Sequence, residues 1–398
     1  MLSSAKKNVL VLALCQAFFN SSSTILVLTA GLVGYQFLGE DTTLATVPAS
    51  AMVIGTAIAT MPASWIMQNL GRRGGFTVGA LVGLVGAVIA AVSVWQLHFW
   101  AFSAGILLIG MYNGFAQLYR FAAADVADEA FRPKAISLVL AGGLAAAFLG
   151  PEIALRTINA VPGIPYLGSY LAIVVLVILA IISLQMVDIP PRTAAERRDT
   201  GRPLSMVMRQ PIYVVAVMSS MIGFGVMSLV MTATPIAMVE QFHHTLGDAK
   251  FVIQWHVVAM FGPSFFTGSV ITRFGVLNVV AAGIACMVGA ITFAVVDTTV
   301  LHFWSALFLL GLGWNFMFVG GSTLLTRAYA QSERIKVQAS HDFLVFGTVA
   351  VASLSSGALL QLLSWRAVGI GAVPFLVLAA AGLAWLALQG RAAPPRPA

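Results

Sequence analysis

Twelve long apolar runs, separated by short polar joints, leave this 398-residue chain little choice of solvent. They lie near residues 8–34, 44–69, 74–95, 98–121, 134–157, 164–187, 211–239, 250–271, 276–297, 301–325, 337–363 and 367–388. An α-helix rises about 1.5 Å per residue, so about 20 residues cross a hydrocarbon core of about 30 Å. The runs are continuously Ala, Leu, Val and Gly-rich, without the alternation of a porin strand, which predicts helices rather than a barrel. Composition agrees: with 59% hydrophobic and 9% charged residues, a soluble fold could not keep its surface wet. The first run follows Lys6 and Lys7 and is too long for a signal-peptide core, so it is expected to persist as the first span. Cys15 and Cys286 fall inside spans of opposite halves and read as small buried apolar residues rather than a disulfide framework.

The formal charge of +7 is distributed by topology. With a cytoplasmic N-terminus, the joints on that side hold Lys6, Lys7, Arg72, Arg73, Arg120, Arg132, Lys134 and most later basic residues, while Arg156, Lys250 and Arg366 remain for the other side or the membrane. That asymmetry is the positive-inside pattern, placing both termini in the cytoplasm and making the basic residues topology signals rather than a nucleic-acid patch. The longest charged joint, with Pro190 and Pro191, divides the chain into residues 1–187, a cytoplasmic linker at 188–210, and residues 211–398. Leu97-His98-Phe99-Trp100 returns as Leu301-His302-Phe303-Trp304, and Gly71 beside Arg72 is matched at the same offset by Gly275 near Arg273. A duplicated six-span unit accounts for both.

The stretch from Ser64 to Arg73 resembles the loop G-x-x-x-D-R-x-G-R-R between the second and third spans of the major facilitator superfamily. Gly71, Arg72 and Arg73 are kept, whereas Gln68 and Asn69 replace the acid and base. The second half keeps Gly268, Arg273 and Gly275, with Thr272 where the acid would stand. The resemblance implies an all-α integral membrane protein of twelve transmembrane helices in two pseudo-symmetric six-helix bundles, working by alternating access, with this loop as a conformational latch. Losing the acid in both halves argues against the usual charge-relay form of the latch. Nothing matches G-x-x-x-x-G-K-[ST], so transport is expected to be secondary, and no catalytic constellation suggests an enzyme.

Ionisable groups within spans are costly in lipid and functional by default. Glu152 and Arg156, four apart in the fifth span, can neutralise each other. Asp342, beside His341 near the cytoplasmic start of the eleventh span, is a candidate for proton coupling or an ion pair. Span seven carries Met227 and Met231, and span eight carries His256 and Met260, each pair spaced i,i+4 on one helix face. If the two spans are antiparallel neighbours, Met231 meets His256 and Met227 meets Met260 at similar depth. Thioethers and a neutral imidazole are soft, exchangeable ligands that suit Cu(I). Met218, Met221, Met238, His243 and His244 are weaker candidates; Asn20, Tyr112, Asn113, Gln117, Trp314 and Asn315 either line a cavity or stitch helices together.

The two i,i+4 motifs resemble the CcoA-like copper importers, a branch of the major facilitators. That resemblance implies copper as the transported ion at Met227, Met231, His256 and Met260, import across the bacterial inner membrane, no resident cofactor, hand-off to copper chaperones, and a monomer. Its partners would be the copper ion and the lipid bilayer, with no nucleic acid. Two alternatives stay open: a proton-coupled carrier of a small organic solute or drug, in which Glu152 or Asp342 is essential and the methionines form a pliable apolar pocket, and a membrane copper sensor without flux.

Overall fold

A computed structural model describes residues 4–38, 47–189 and 201–392, and every regular element among them is helical. In the first half, α1 (Ser4–Leu38) and the 50-residue α2 (Val47–Gln96) precede α3 (Phe99–Ala116), α4 (Tyr119–Val126), α5 (Arg132–Thr157) and α6 (Leu167–Leu184). After a short α7 (Leu204–Met208) come α8 (Pro211–Ile236), a π-helical turn (Ala237–Gln241), α9 (Leu246–Phe261) and α10 (Ser264–Phe274). The chain ends with α11 (Val276–Val296), α12 (Val300–Leu325), α13 (Arg334–Leu362) and α14 (Trp365–Ala392).

Among the described residues nine helices are long and apolar enough to cross a membrane, ten with α9 and α10 counted as one span bent by 43°. Because α2 breaks at Gly71 it contains two spans. The 29-residue α13 completes the twelve; Arg334, Lys336, His341 and Asp342 near its start make it the most polar of them. Leu10, Val27, Val85, Ile182, Phe265 and Val377 are exposed on outer helix faces. Such faces are stable only against lipid.

Local chemistry sets the helix starts. Pro211 occupies the first turn of α8, where its missing N–H costs nothing. Thr245 and Asp248 form a reciprocal capping box at α9. The duplicated Leu-His-Phe-Trp string has diverged in use. His98 itself caps α3, accepting from the Ala101 amide at 3.2 Å, whereas Thr299 caps α12 and His302 lies inside the first turn.

The chain forms two compact units, whose boundaries differ from a simple division at the linker. The first comprises residues 1–129 and 138–199 together with 338–343 from α13; the second comprises 130–137, 200–337 and 344–398. Residues 190–200 of the expected linker, including Pro190, Pro191, Arg197 and Arg198, lie outside the described residues.

In the first unit α2 and α3 pack along a glycine seam. A methyl on Gly55 would lie 2.2 Å from the Leu107 carbonyl oxygen, and one on Gly110 would lie 2.2 Å from that of Met52. Only hydrogen fits at either place, so the backbones approach as small-residue membrane helices do. α6 packs against α1 and α2. In the second unit α12 is central, packed against α8, α9 and α11, and Trp365 of α14 donates its indole N–H to the Ala294 carbonyl at 2.8 Å.

The segment entering α7 is tied to the loop before α13. Arg202 makes two charge-assisted bonds at 2.7 Å to Glu333, whose side chain is buried although the arginine is half-exposed. Those bonds from Arg202 hold the Glu333 carboxyl down to about 2. A lowered carboxyl pKa stabilises above the unfolded value of about 4.3 and loses that contribution as pH falls through the folded value. The protection factors of residues 201–210 in hydrogen–deuterium exchange, with the intrinsic pH dependence divided out, should therefore be flat from about pH 8 to about pH 5 and fall only below about pH 4; a fall already near neutrality would contradict the anchor.

Candidate functional site

Both glycines of the duplicated loop sit where only glycine is comfortable. Gly71 has φ 75° and ψ 176°, and Gly275 has φ 86° and ψ 148°. A left-handed φ at the same place in each half turns one span into the next without a Cβ clash. The arginines beside them differ. Arg73 is on the surface and donates to Gln185 at 3.2 Å, and Arg273 lies over its neighbour Phe274 at 5.3 Å.

Arg72 is buried. It donates to Asp125 at 2.8 and 3.2 Å, to the sulfur of Met67 at 3.4 Å and to the Gln338 side-chain oxygen. In the first half a carboxylate does stand beside the loop arginine: it comes from Asp125 near the end of α4, in place of the acid the loop lacks. Arg72 and Arg120 are also more than topology signals, since both are fully desolvated and paired.

A separate hydrogen-bonded track runs through the first unit. Asn113 on α3 donates to Thr56 of α2 at 3.1 Å, and Gln117 donates to Asn113 at 2.8 Å. Arg120 donates to the Gln117 carbonyl, to its side-chain oxygen at 3.2 Å, and to the Asp342 carboxylate. His341 completes the track, with Nδ1 2.8 Å from the same carboxylate oxygen. The Arg120 and Asp342 side chains are each 1% exposed, and the Arg120 guanidinium lies 4.4 Å over the Phe121 ring. The other carboxylate oxygen of Asp342 and Nε2 of His341 are buried without a partner.

The first unit also holds a buried cluster of aromatic and amide side chains. Asn20 of α1 accepts from Gln16 at 3.0 Å, while its own amide nitrogen is buried and has no partner. Phe19 meets Tyr112 edge-on at 5.3 Å, and the Tyr112 and Tyr119 hydroxyls are 3.4 Å apart. Buried orphan donors are scarce in folded chains, so the Asn20 amide marks a place that a ligand's acceptor can fill.

In the second unit Asn315 stitches helices: it donates to the Met260 carbonyl and to Ser264, each at 2.6 Å, and accepts from Thr267 at 2.7 Å. Trp314 stacks on Phe318 and meets Phe224 edge-on at 5.3 Å, but its indole N–H is buried without a partner. Glu152 and Arg156 bond at 2.6 Å as an exposed pair on α5.

The four residues expected to share a metal lie on two helices, α8 and α9. α8 and α9 touch only lightly, because α12 packs against both. The premise that spans seven and eight are tight antiparallel neighbours is thereby corrected. His256 is buried against α12, its Nδ1–H donating to the Leu307 carbonyl at 2.6 Å, which leaves Nε2 as a buried, unpartnered acceptor. Met227 and Met260 are buried and Met231 half-buried on their separate helices. Of the weaker candidates, His244 donates to the Thr298 carbonyl at 2.6 Å, and His243 is exposed with φ 56°.

Known proteins place this architecture. Residues 10–318 match the model of the Major Facilitator Superfamily. The riboflavin transporter RfnT of Brucella anthropi is 40% identical over 376 residues, covering 94% of this chain and 94% of that protein. An uncharacterized MFS-type transporter of Bacillus subtilis, YddS, is 27% identical over 94% of this chain and 89% of its own length. Among solved structures, the E. coli fucose:proton symporter FucP superposes with a TM-score of 0.76 at 16% identity, covering 95% of this chain and 97% of that one. The CcoA-like branch suggested by the short methionine motifs is not what this likeness supports, since the named relative carries riboflavin. The chain is a multi-pass membrane transporter and belongs to the major facilitator superfamily.

Proposed function

We propose that this chain is a secondary carrier that imports riboflavin, or a close flavin analogue, across a bacterial inner membrane, with both termini cytoplasmic. The carrying observation is the 40% identity to a riboflavin transporter, spread over 94% of both chains. The chemistry of the first unit fits that solute. A flavin is a planar, uncharged ring system with amide-like donors and acceptors, bearing a polyol arm. Asn20, Asn113 and Gln117 are half-buried neutral hydrogen-bonding groups of the first unit, carried by the same helices as the buried Phe19 and Tyr112 rings, and the fixed charges of Arg120 and Asp342 are already paired. Neutral amides beside aromatic faces are how a site recognises such a heterocycle.

A riboflavin-auxotrophic bacterium expressing the chain should grow on low external riboflavin and take up the labelled vitamin saturably. Asn20→Ala should weaken that uptake about tenfold through loss of a hydrogen bond worth about 1.4 kcal/mol. Absence of riboflavin uptake by protein that reaches the membrane would sink this reading.

Copper import keeps one favourable observation: with Nδ1–H held by the Leu307 carbonyl, His256 offers the Nε2 lone pair that a metal ligand needs. Labelled copper supplied to the same cells separates the two readings. A variant carrying Met227→Leu, Met231→Leu, Met260→Leu and His256→Gln retains riboflavin uptake under the flavin reading and loses copper uptake under the other. Copper binding without flux would instead mark a sensor.

A further inference from the structure

One buried donor in the second unit has no work in the fold. Trp314 is 2% exposed, and its indole N–H has no partner. Asn315 beside it is fully engaged, bonded to the Met260 carbonyl, Ser264 and Thr267. Phenylalanine at position 314 would fill much of the same space without the cost of a bare donor, so packing alone does not account for the indole nitrogen. Rings from four helices surround it. Phe318 stacks on Trp314 at 5.1 Å, Phe261 of α9 meets it edge-on at 5.6 Å, and Phe224 of α8 meets Trp314, Phe318 and Phe346 of α13 edge-on at 5.3, 5.3 and 5.6 Å. All of them belong to the second unit. Phe224, Trp314 and Phe346 stand near the middle of their helices, and Phe261 ends α9 at Gly262 and Pro263, where the span bends by 43°. Phe224 and Phe261 are only half-buried, so uncovered ring surface and an unanswered donor occur together near mid-span.

We propose that this cluster is a binding site for a planar heteroaromatic ring bearing a carbonyl, which lies against Phe224 and Phe261 and accepts the Trp314 N–H. Ring faces alone would take any flat apolar molecule of suitable size. The indole donor makes the site selective, because a ring without an acceptor leaves it bare, whereas a ring carbonyl satisfies it. Phe261 sits at a break of the kind that Gly and Pro cause, and it turns aside for the incoming ring without unwinding a continuous helix. An isoalloxazine has both properties, an extended planar face and carbonyl oxygens at one edge. That identification rests on the riboflavin reading; the ring site itself does not.

Purified protein in detergent is titrated with riboflavin and with lumichrome, which keeps the tricyclic ring and its carbonyls but lacks the ribityl arm. Stacking on aromatic side chains should quench flavin emission, lumichrome should compete with riboflavin, and ribitol should not. Trp314→Phe should weaken both ring ligands about tenfold, as loss of one buried hydrogen bond implies, and should melt within a few degrees of the parent. Trp304→Phe is the control. Its indole N–H is also buried without a partner but lies about 15 Å away along α12, so its loss should leave binding unchanged. Should Trp314→Phe fail to fold, Phe224→Leu, which keeps the donor and removes a ring face, should weaken both ligands several-fold and decide the matter. Riboflavin binding that these variants leave intact, an equal loss in Trp304→Phe, or competition by ribitol and not by lumichrome overturns the ring site and leaves the flavin reading standing. If cells import no riboflavin yet the purified parent binds lumichrome through Trp314, the flavin reading fails alone. A parent that binds neither ligand overturns the ring site, and the uptake assay then decides the flavin reading by itself.

Discussion

Arg120→Ala should abolish transport and lower the stability of the detergent-solubilised protein by roughly 3–5 kcal/mol near neutral pH. The expectation follows from burial. Both side chains of the Arg120–Asp342 pair are 1% exposed, so water cannot replace the lost guanidinium. A buried pair is a weak source of net stability, but breaking it from one side leaves a desolvated charge. Two further measurements identify the cause. Adding Asp342→Asn to Arg120→Ala should recover much of the lost thermal stability, since no orphan charge then remains. Acidifying the single variant from about pH 8 to about pH 5 should recover part of it, because protonation removes the uncompensated charge. A single variant that melts like the parent would mean that the pair is wetter than its burial implies.

Gly110→Leu should be comparably damaging by a different route. The new Cβ alone would stand 2.2 Å from the Met52 carbonyl oxygen, and backbone cannot swing aside as a flexible side chain can. α2 and α3 must separate, losing the Thr56 hydrogen bonds to the Gly110 carbonyl at 3.0 Å and from Asn113 at 3.1 Å. Overpacking usually costs about 1–3 kcal/mol, and contact with rigid backbone puts this case at about 3 kcal/mol or more. Riboflavin uptake should fall with it, because the seam positions Asn113 and, through it, Gln117 and Arg120. Gly347→Leu is the contrast: nothing lies within 4 Å of a Cβ there, so it should melt within a few degrees of the parent. Equal melting of the two glycine variants would show that the seam can relax.

The two loop arginines show how far residue identity reaches. Gly71 and Gly275 are recognisable from the duplicated pattern, because a tight reversal between spans demands glycine wherever φ is positive. Arg72 looks like one more cytoplasmic charge until Asp125, 53 residues away, is seen beneath it. The missing acid of the loop motif is supplied from another helix, and no local spacing announces that. The one available signal, an acidic residue at the end of a span that also holds Arg120, is weak.

The methionine motifs show the opposite failure. Their i,i+4 spacing does put Met227 with Met231 and His256 with Met260 on single helix faces, which is a local property of a helix. Whether two such faces meet depends on which helices are neighbours. Consecutive spans need not pack together, and here α12 stands against both α8 and α9.

By itself the sequence determined the solvent, the helical class, the duplication and the points of chain reversal. Each follows from hydrophobic run length, backbone hydrogen bonding in lipid and glycine sterics, all of which act within a short stretch of chain. Only the tertiary structure decided that Arg120 and Asp342, 222 residues apart, share a dry ion pair, that Asn20 keeps an unanswered donor, and that His256 faces Leu307 rather than a methionine. Partnership between distant side chains is set by helix adjacency and rotation, which many weak packing contacts fix together and no single segment encodes.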